Sequence, residues 1–210
     1  MKQKIDLTTW NRKEHFAFFS TFEEPFFGLT IQLDCENAYQ KSKSIGVPFS
    51  TYYLHKTLVA INENQALRLR IEDNEVVDFS VINGSATVLR ADKTFGFSEI
   101  KYDENLFVFN QNAAAEIARV QQTSGLFTRD FSPNVIHFSS LPWISFTSIS
   151  HARSYTLPDS CPKISFGKMS VDVTGKRSIP FSIHVHHGLV DGYDVGVFVN
   201  RLQHLLSEKE

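Results

Sequence analysis

The sequence predicts an α+β fold, a mixed or antiparallel sheet covered by helices. Two observations carry that prediction. Strand-like segments outnumber helical ones, and many of the connections between them are short enough for hairpins. At 210 residues the chain is expected to form one domain, 1–210, with room for a sizeable core. It shows no internal repeat, low-complexity run or linker.

Residues 1–15 are polar around one anchor, Trp10. An aromatic cluster follows (Phe16, Phe18, Phe19, Phe22, Phe26 and Phe27) around Glu23-Glu24-Pro25, which read as a loop. A loop so rich in Phe is either a lid on the core or a wall of a small-molecule pocket. Gly28–Leu33 reads as a strand, with Asp34 capping a short helix through Ser44. Pro48, with Leu54, Leu58 and Ile61 at helical spacing, marks a longer helix to about Asn62.

Strands are predicted at Leu67–Ile71, Val76–Val81 and Ala86–Leu89, with hairpin turns at Asp73-Asn74 and Asn83-Gly84. Phe95–Ile100 reads as a further strand. Leu106, Phe109, Ala113, Ile117 and Val120 then line a helix ending near Gly125. Asn134–Phe138, Ile144–Ile149 and Lys163–Val173 read as strands, with a loop at Pro158, Asp159 and Pro162. Gly175-Lys176 turns the chain into a last strand, Ser178–His187. The final helix carries Val195, Phe198, Val199, Leu202 and Leu206 on one side.

Composition excludes several functional classes. A net charge of −2 with scattered Lys and Arg leaves no electrostatic footprint for nucleic acid. No apolar run approaches membrane-span length, and residues 1–15 lack the apolar core of a signal peptide. Two cysteines, Cys35 and Cys161, suit a reducing cytoplasm better than a disulfide framework. The 19 phenylalanines imply a thick core, an apolar ligand pocket or buried subunit contacts.

The chemistry concentrates at Ile183–Gly192. Counting by twos, Ile179, Phe181, Ile183, Val185 and His187 share a strand face, so His187 meets apolar neighbours at the strand end. Desolvation disfavours a charged imidazole, so the ring is expected to be neutral at pH 7 and suited to general-base work. The alternative is a packed core histidine beside a solvated Asp191-Gly192 turn. His184 and His186 also alternate onto one face, but no Cys or carboxylate is spaced to complete a zinc site, so no metal is expected.

His186-His187-Gly188-Leu189-Val190-Asp191-Gly192 has the pattern His-His-x-x-x-Asp-Gly. Chloramphenicol acetyltransferases, dihydrolipoyl acyltransferase cores and peptide-synthesising condensation domains share it. Three further stretches, in order, resemble the first family: Trp10–Phe16, Ser139–Ser148 and Ser165-Phe166-Gly167-Lys168. The likeness runs from about residue 5 to 207.

That resemblance implies a two-layer sandwich with the CoA-dependent acyltransferase fold, working as a homotrimer with sites at subunit interfaces. It implies transfer of acetyl from the co-substrate acetyl-CoA to a chloramphenicol hydroxyl, giving antibiotic resistance, with no permanently bound cofactor and no acetyl-enzyme. In this reading His187 is the general base and Ser139 the oxyanion donor, Ser140 being the alternative. Asp191 paired with Arg12 holds the histidine loop, and the Ser165 hydroxyl holds a water. Phe19, Phe26, Phe27 and Phe97 would wall the acceptor pocket, and Lys168 would lie near CoA.

Four departures bear on the acceptor. Ile149-Ser150-His151 replaces a Phe-x-Leu, His184 a Gln, Met169 a Tyr near the CoA adenine, and Phe19 a Tyr facing the acceptor. Two competing functions follow: the same transfer to another small hydroxyl or amine compound, or a catalytically silent binding protein. An acyltransferase core would need a lipoyl domain, and a condensation domain about twice this length.

Overall fold

The computed structural model describes residues 1–154 and 159–208. Pro158 of the expected loop therefore lies outside the described residues. In chain order the elements are β1 (Lys2–Lys4), α1 (Lys13–Phe19), β2 (Phe26–Asp34), α2 (Glu36–Ser44) and α3 (Phe49–Glu63). They continue with α4 (Gln65–Arg68), β3 (Leu69–Glu72), β4 (Glu75–Phe79), β5 (Asn83–Leu89), β6 (Phe95–Phe97) and α5 (Leu106–Gln121). The chain closes with β7 (Val135–Ser140), β8 (Lys163–Phe166), β9 (Ser170–Val171), β10 (Arg177–His186) and α6 (Gly192–Ser207).

The main sheet runs β2-β10-β8-β7-β5-β6, with β9 on β10; a small sheet runs β1-β4-β3. The main sheet is mixed, because β7 is parallel to both β5 and β8 while β10 is antiparallel to β2 and β8. Helices α2, α3 and α6 pack on one another and against the sheet.

β10 organises the core. Its odd residues Ile179, Phe181, Ile183 and Val185 are all buried under the helices, with Phe198 of α6 against Phe181. Cutting such a ring back to Ala costs ~3–5 kcal/mol through lost transfer energy and the cavity left behind. The even residues form a different surface. Ser182 stands opposite Ser165, and Ser165 opposite Ser139. His184 stands opposite Lys163, and Lys163 opposite His137. One face of the sheet is oil; the other is rows of hydroxyls, imidazoles and a lysine.

Several expectations need correction. Ile144–Ile149 is not a strand. Leu141 and Ile144 close a turn after Pro142, and the segment crosses the polar face as a loop with Phe146 tucked under it. Asn83-Gly84 is not a hairpin turn but the start of β5. Gly84 pairs with Ile136 of β7 and makes an isolated bridge to Ile100. The long strand Lys163–Val173 is broken at Gly167 into β8 and β9. Residues 1–15 hold β1 and the start of α1. The cap of α2 is Cys35, and Asp34 instead accepts a hydrogen bond from the Glu36 N–H at 3.1 Å. Asp73 and Asn74 do turn the β3–β4 hairpin, at φ 50° and 62°.

Candidate active site

β10 ends at His186, which leaves His187 as the first residue of the turn into α6. Its backbone is held from both sides. The His187 N–H donates to the Pro25 carbonyl at 2.8 Å, and its carbonyl accepts from Arg12 Nη2 at 3.2 Å. Its ring is stacked on Phe19, with centroids 4.0 Å apart and 7° between planes, and tilted against Phe27 at 4.5 Å. The residue is half-buried, and its Nδ1 is buried without a partner among the described residues. An incoming group can therefore meet only Nε2.

The adjacent imidazole is a different object. His186 is buried, its ring edge-on to Phe26, and its Nδ1 accepts from the Gly188 N–H at 3.1 Å. Burial, with the Arg153 charge nearby, pulls its pKa down to about 4. It is a neutral, hydrogen-bonded part of the turn.

Arg12 ties that turn together. Its Nη1 lies 2.6 Å from Asp191 Oδ2, while Asp191 Oδ1 caps α6 by accepting from the Tyr193 N–H at 2.9 Å and the Asp194 N–H at 3.4 Å. Asp194 completes the capping box by accepting from the Asp191 N–H at 3.0 Å. Burial pushes the Asp191 carboxyl up, but Arg12 and the two N–H groups outweigh it, so its pKa falls. The sequence reading overlooked Asp194, although the spacing Asp191-x-x-Asp194 is a capping signature.

Ser139 and Ser165 lie elsewhere. From the Ser139–Ser165–Ser182 register, two strand spacings and five residues of rise put Ser139 roughly 20 Å from His187 along the backbone. A base and an oxyanion donor must both reach one reacting centre within about 3 Å. A single chain does not bring them together.

Ser165 is fully buried, and its Oγ lies 3.3 Å from His151 Nε2. The alternative donor Ser140 is already engaged, its hydroxyl 3.1 Å from the Tyr53 hydroxyl.

The aromatic candidates divide between these regions. Phe19 and Phe27 hold His187. Phe26 holds His186 and carries the Arg153 guanidinium 3.5 Å over its ring. Phe97 packs far off with Phe95, Phe127 and Phe131, and lines a cavity of about 490 Å³ with His137 and Lys163. Ile149 lines a cavity of about 130 Å³ with His184. Lys168 is exposed on the turn after β8.

Sequence reasoning also passed over Arg153, Glu24, Asp159 and Lys163. Arg153 pairs with Glu24, and Lys163 Nζ with Asp159 at 2.6 Å. Only the i,i+4 spacing of Asp159 and Lys163 was visible in advance. Among the described residues no group of three or more His, Cys, Asp or Glu is placed to hold a metal. No helix there is long and apolar enough to cross a membrane.

The architecture defines a class first. The chain superposes on the truncated catalytic core of a 2-oxoacid dehydrogenase multienzyme complex from Thermoplasma acidophilum with a TM-score of 0.70. That match covers 98% of this chain and 99% of that one at 13% identity, which is the CoA-dependent acyltransferase fold. Within that class the resolution is finer. A solved chloramphenicol acetyltransferase matches with a TM-score of 0.87 and 27% identity, over 99% of this chain and all of that one. A chloramphenicol acetyltransferase of Bacillus pumilus is 33% identical over 99% of this chain and 94% of its own length. The family model for chloramphenicol acetyltransferase matches residues 2–203. The chain belongs to the chloramphenicol acetyltransferase family and is an acyltransferase.

Proposed function

We propose that residues 1–210 work as one domain of an acetyl-CoA-dependent chloramphenicol O-acetyltransferase, and that its sites form between copies in a homotrimer. The observation that carries this is the His187 ring, clamped by Phe19 and Phe27 with Nδ1 shut in and Nε2 left to do chemistry.

The steps follow from the residues. Nε2 takes the proton of the acceptor hydroxyl as the oxygen attacks the thioester carbonyl. Ser139 of a second copy donates a hydrogen bond to the oxyanion. The C–S bond breaks, and the CoA sulfur leaves with the proton held by the imidazolium. A positioned base contributes ~10²–10⁴-fold. Arg12 and Asp191 keep the ring aimed by holding the turn that carries it, and Ser165 would hold a water near the intermediate. Phe19 and Phe27 exclude water from the base, while Phe26, Phe97, Ile149 and His151 would wall the acceptor. Lys168 would approach CoA from the turn after β8. The two cysteines have no part in this chemistry.

Two features support the shared site. His187 and Ser139 are too far apart within one chain to meet. Trp143 and Ile144, just beyond Ser139, are 67% and 54% exposed, a large apolar surface beside the proposed oxyanion donor. A cytoplasmic setting and resistance to the antibiotic belong to the same proposal.

Incubation with acetyl-CoA and chloramphenicol, following free thiol, tests it. The expected result is thiol release dependent on chloramphenicol. Release no faster than without the acceptor, but restored by another hydroxyl compound, would leave an acetyltransferase of different acceptor. Light scattering is expected to show three subunits, and a stable monomer would remove the shared site.

A further inference from the structure

Arg12 is the root of both restraints on the His187 ring. Its Nη2 donates to the His187 carbonyl at 3.2 Å. Its own carbonyl accepts from the Phe16 N–H at 2.9 Å, in the first turn of the helix that carries Phe19 to the ring. Yet the guanidinium has few grips of its own. Nε is buried and without a partner among the described residues, so the group is held at its two η ends. Asp191 does not clamp it as a fork, because only Oδ2 meets Nη1 while Oδ1 caps α6. A carboxylate that meets a guanidinium through one oxygen leaves it free to pivot, whereas two oxygens fix its plane.

The second oxygen comes from Asp194. In the first turn of α6, its Oδ2 lies 3.7 Å from Arg12 Nη1, an ion-pair distance, and accepts from the Asp191 N–H at 3.0 Å. One oxygen thus serves both the cap backbone and the guanidinium. The Asp194 backbone is fixed as well, its carbonyl accepting from Asn64 Nδ2 at the end of α3 at 3.2 Å. The Arg12 and Asp194 side chains are 15% and 22% exposed, so water screens the pair only in part. The positive end of the α6 dipole favours carboxylates here, which lets two of them share one guanidinium. A capping box needs only an accepting oxygen at this position, and a neutral amide supplies one. The charge of Asp194 is the part that capping does not explain.

We propose that Asp194 is a positioning residue for acetyl transfer: its charge, acting through Arg12, holds the turn that aims the His187 ring. The inference rests on the reading of His187 as the base. The contacts run from Asp194 to Arg12, from Arg12 to the His187 carbonyl, and from Arg12 through α1 to Phe19. A base that drifts from its acceptor slows the chemical step and leaves substrate binding alone, so the effect falls on kcat and not on KM.

Variants at position 194, each measured for kcat, KM and urea midpoint, separate charge from cap. Asp194→Asn keeps an oxygen for the Asp191 N–H and loses the charge. Its urea midpoint and its KM for acetyl-CoA and chloramphenicol should hold. Its kcat should fall by about fivefold, the weight of a strong, partly exposed ion pair. Asp194→Glu keeps both the charge and an accepting oxygen, and should recover most of that loss. In an Arg12→Gln background Asp194→Asn should have no further effect on kcat, because its route to the base is gone. Three results overturn the inference while the base stands: a kcat for Asp194→Asn within about twofold of wild type, equal kcat in the Asn and Glu variants, or the same loss with and without Arg12. If Arg12→Gln does not fold, the Asn and Glu variants decide alone. His187→Ala active within about tenfold of wild type overturns the base itself, and the inference with it.

Discussion

The turn after β10 and the serine row at the ends of β7 and β8 hold the two halves of the proposed chemistry in different ways. At the turn nearly everything is braced. Arg12 bridges the His187 carbonyl and Asp191, Asp191 and Asp194 cap α6, and two Phe rings fix the imidazole. At the serine row, Ser139 has a buried hydroxyl beside it and an imidazole one step further, under a loop with no strand pairing of its own. The difference suits their tasks. A base must be aimed within tenths of an ångström whatever the acceptor, whereas the surface around the oxyanion donor also has to fit the acceptor and can vary with it.

The largest expected effect is on the turn. His187→Ala should lower kcat by ~10²–10⁴-fold with the melting curve retained; residual activity within tenfold of wild type breaks the assignment. Next, Ser139→Ala should lower the rate by ~10²–10³-fold while acetyl-CoA binding, read by calorimetry, is unchanged. Mixing the two inactive variants sharpens the comparison. If each site draws His187 from one copy and Ser139 from another, random reassembly restores about a quarter of the wild-type rate. No recovery after mixing and refolding together would place both groups in one chain.

A smaller effect separates the two duties of Asp191. Asp191→Ala removes the cap and should cost ~0.5–2 kcal/mol in urea unfolding. Asp191→Asn keeps a capping oxygen, so stability should hold while turnover falls with the loss of the Arg12 ion pair. Equal losses in both variants would mean that the ion pair does nothing for the base.

The last prediction concerns pH. His151 and His186 have folded pKa values held down at about 4, against an ordinary 6.5, chiefly by burial. Between those values the unfolded chain binds more protons than the folded one, so stability rises with pH across the window of about 4 to 6.5. It is fully present above that window and falls as acid is added through it. His186→Asn should flatten the slope, as urea midpoints measured at pH 4.5, 5.5 and 6.5 would show. A slope equal to wild type would mean that His186 is not titrating in the unfolded chain alone.

How much of this the sequence showed depends on the face in question. β10 was legible because its odd residues alternate without a break, and α3, α5 and α6 because apolar side chains recur at helical spacing over fifteen or sixteen residues. α1 was not, because none of its residues is buried and Phe18 and Phe19 pack on each other, on Phe22 and on the His187 ring rather than forming a core stripe. Ile144–Ile149 alternates like a strand but lies across the sheet as a cover. Asn83-Gly84 has turn chemistry, yet both residues pair with β7 as the start of β5. For the site, Arg12, Asp191 and His187 were readable as motifs, and the structure brings all three together. The distance between His187 and Ser139 was not readable, since it depends on strand order, which no local spacing reports. Nor was the His151–His184 contact, which joins a loop to a strand 33 positions later.

Gly28 makes room for that contact. A Cβ at position 28 would lie 2.2 Å from His184 Cδ2, so a larger residue there makes the imidazole give up its place across β2 and, with it, its contact with His151.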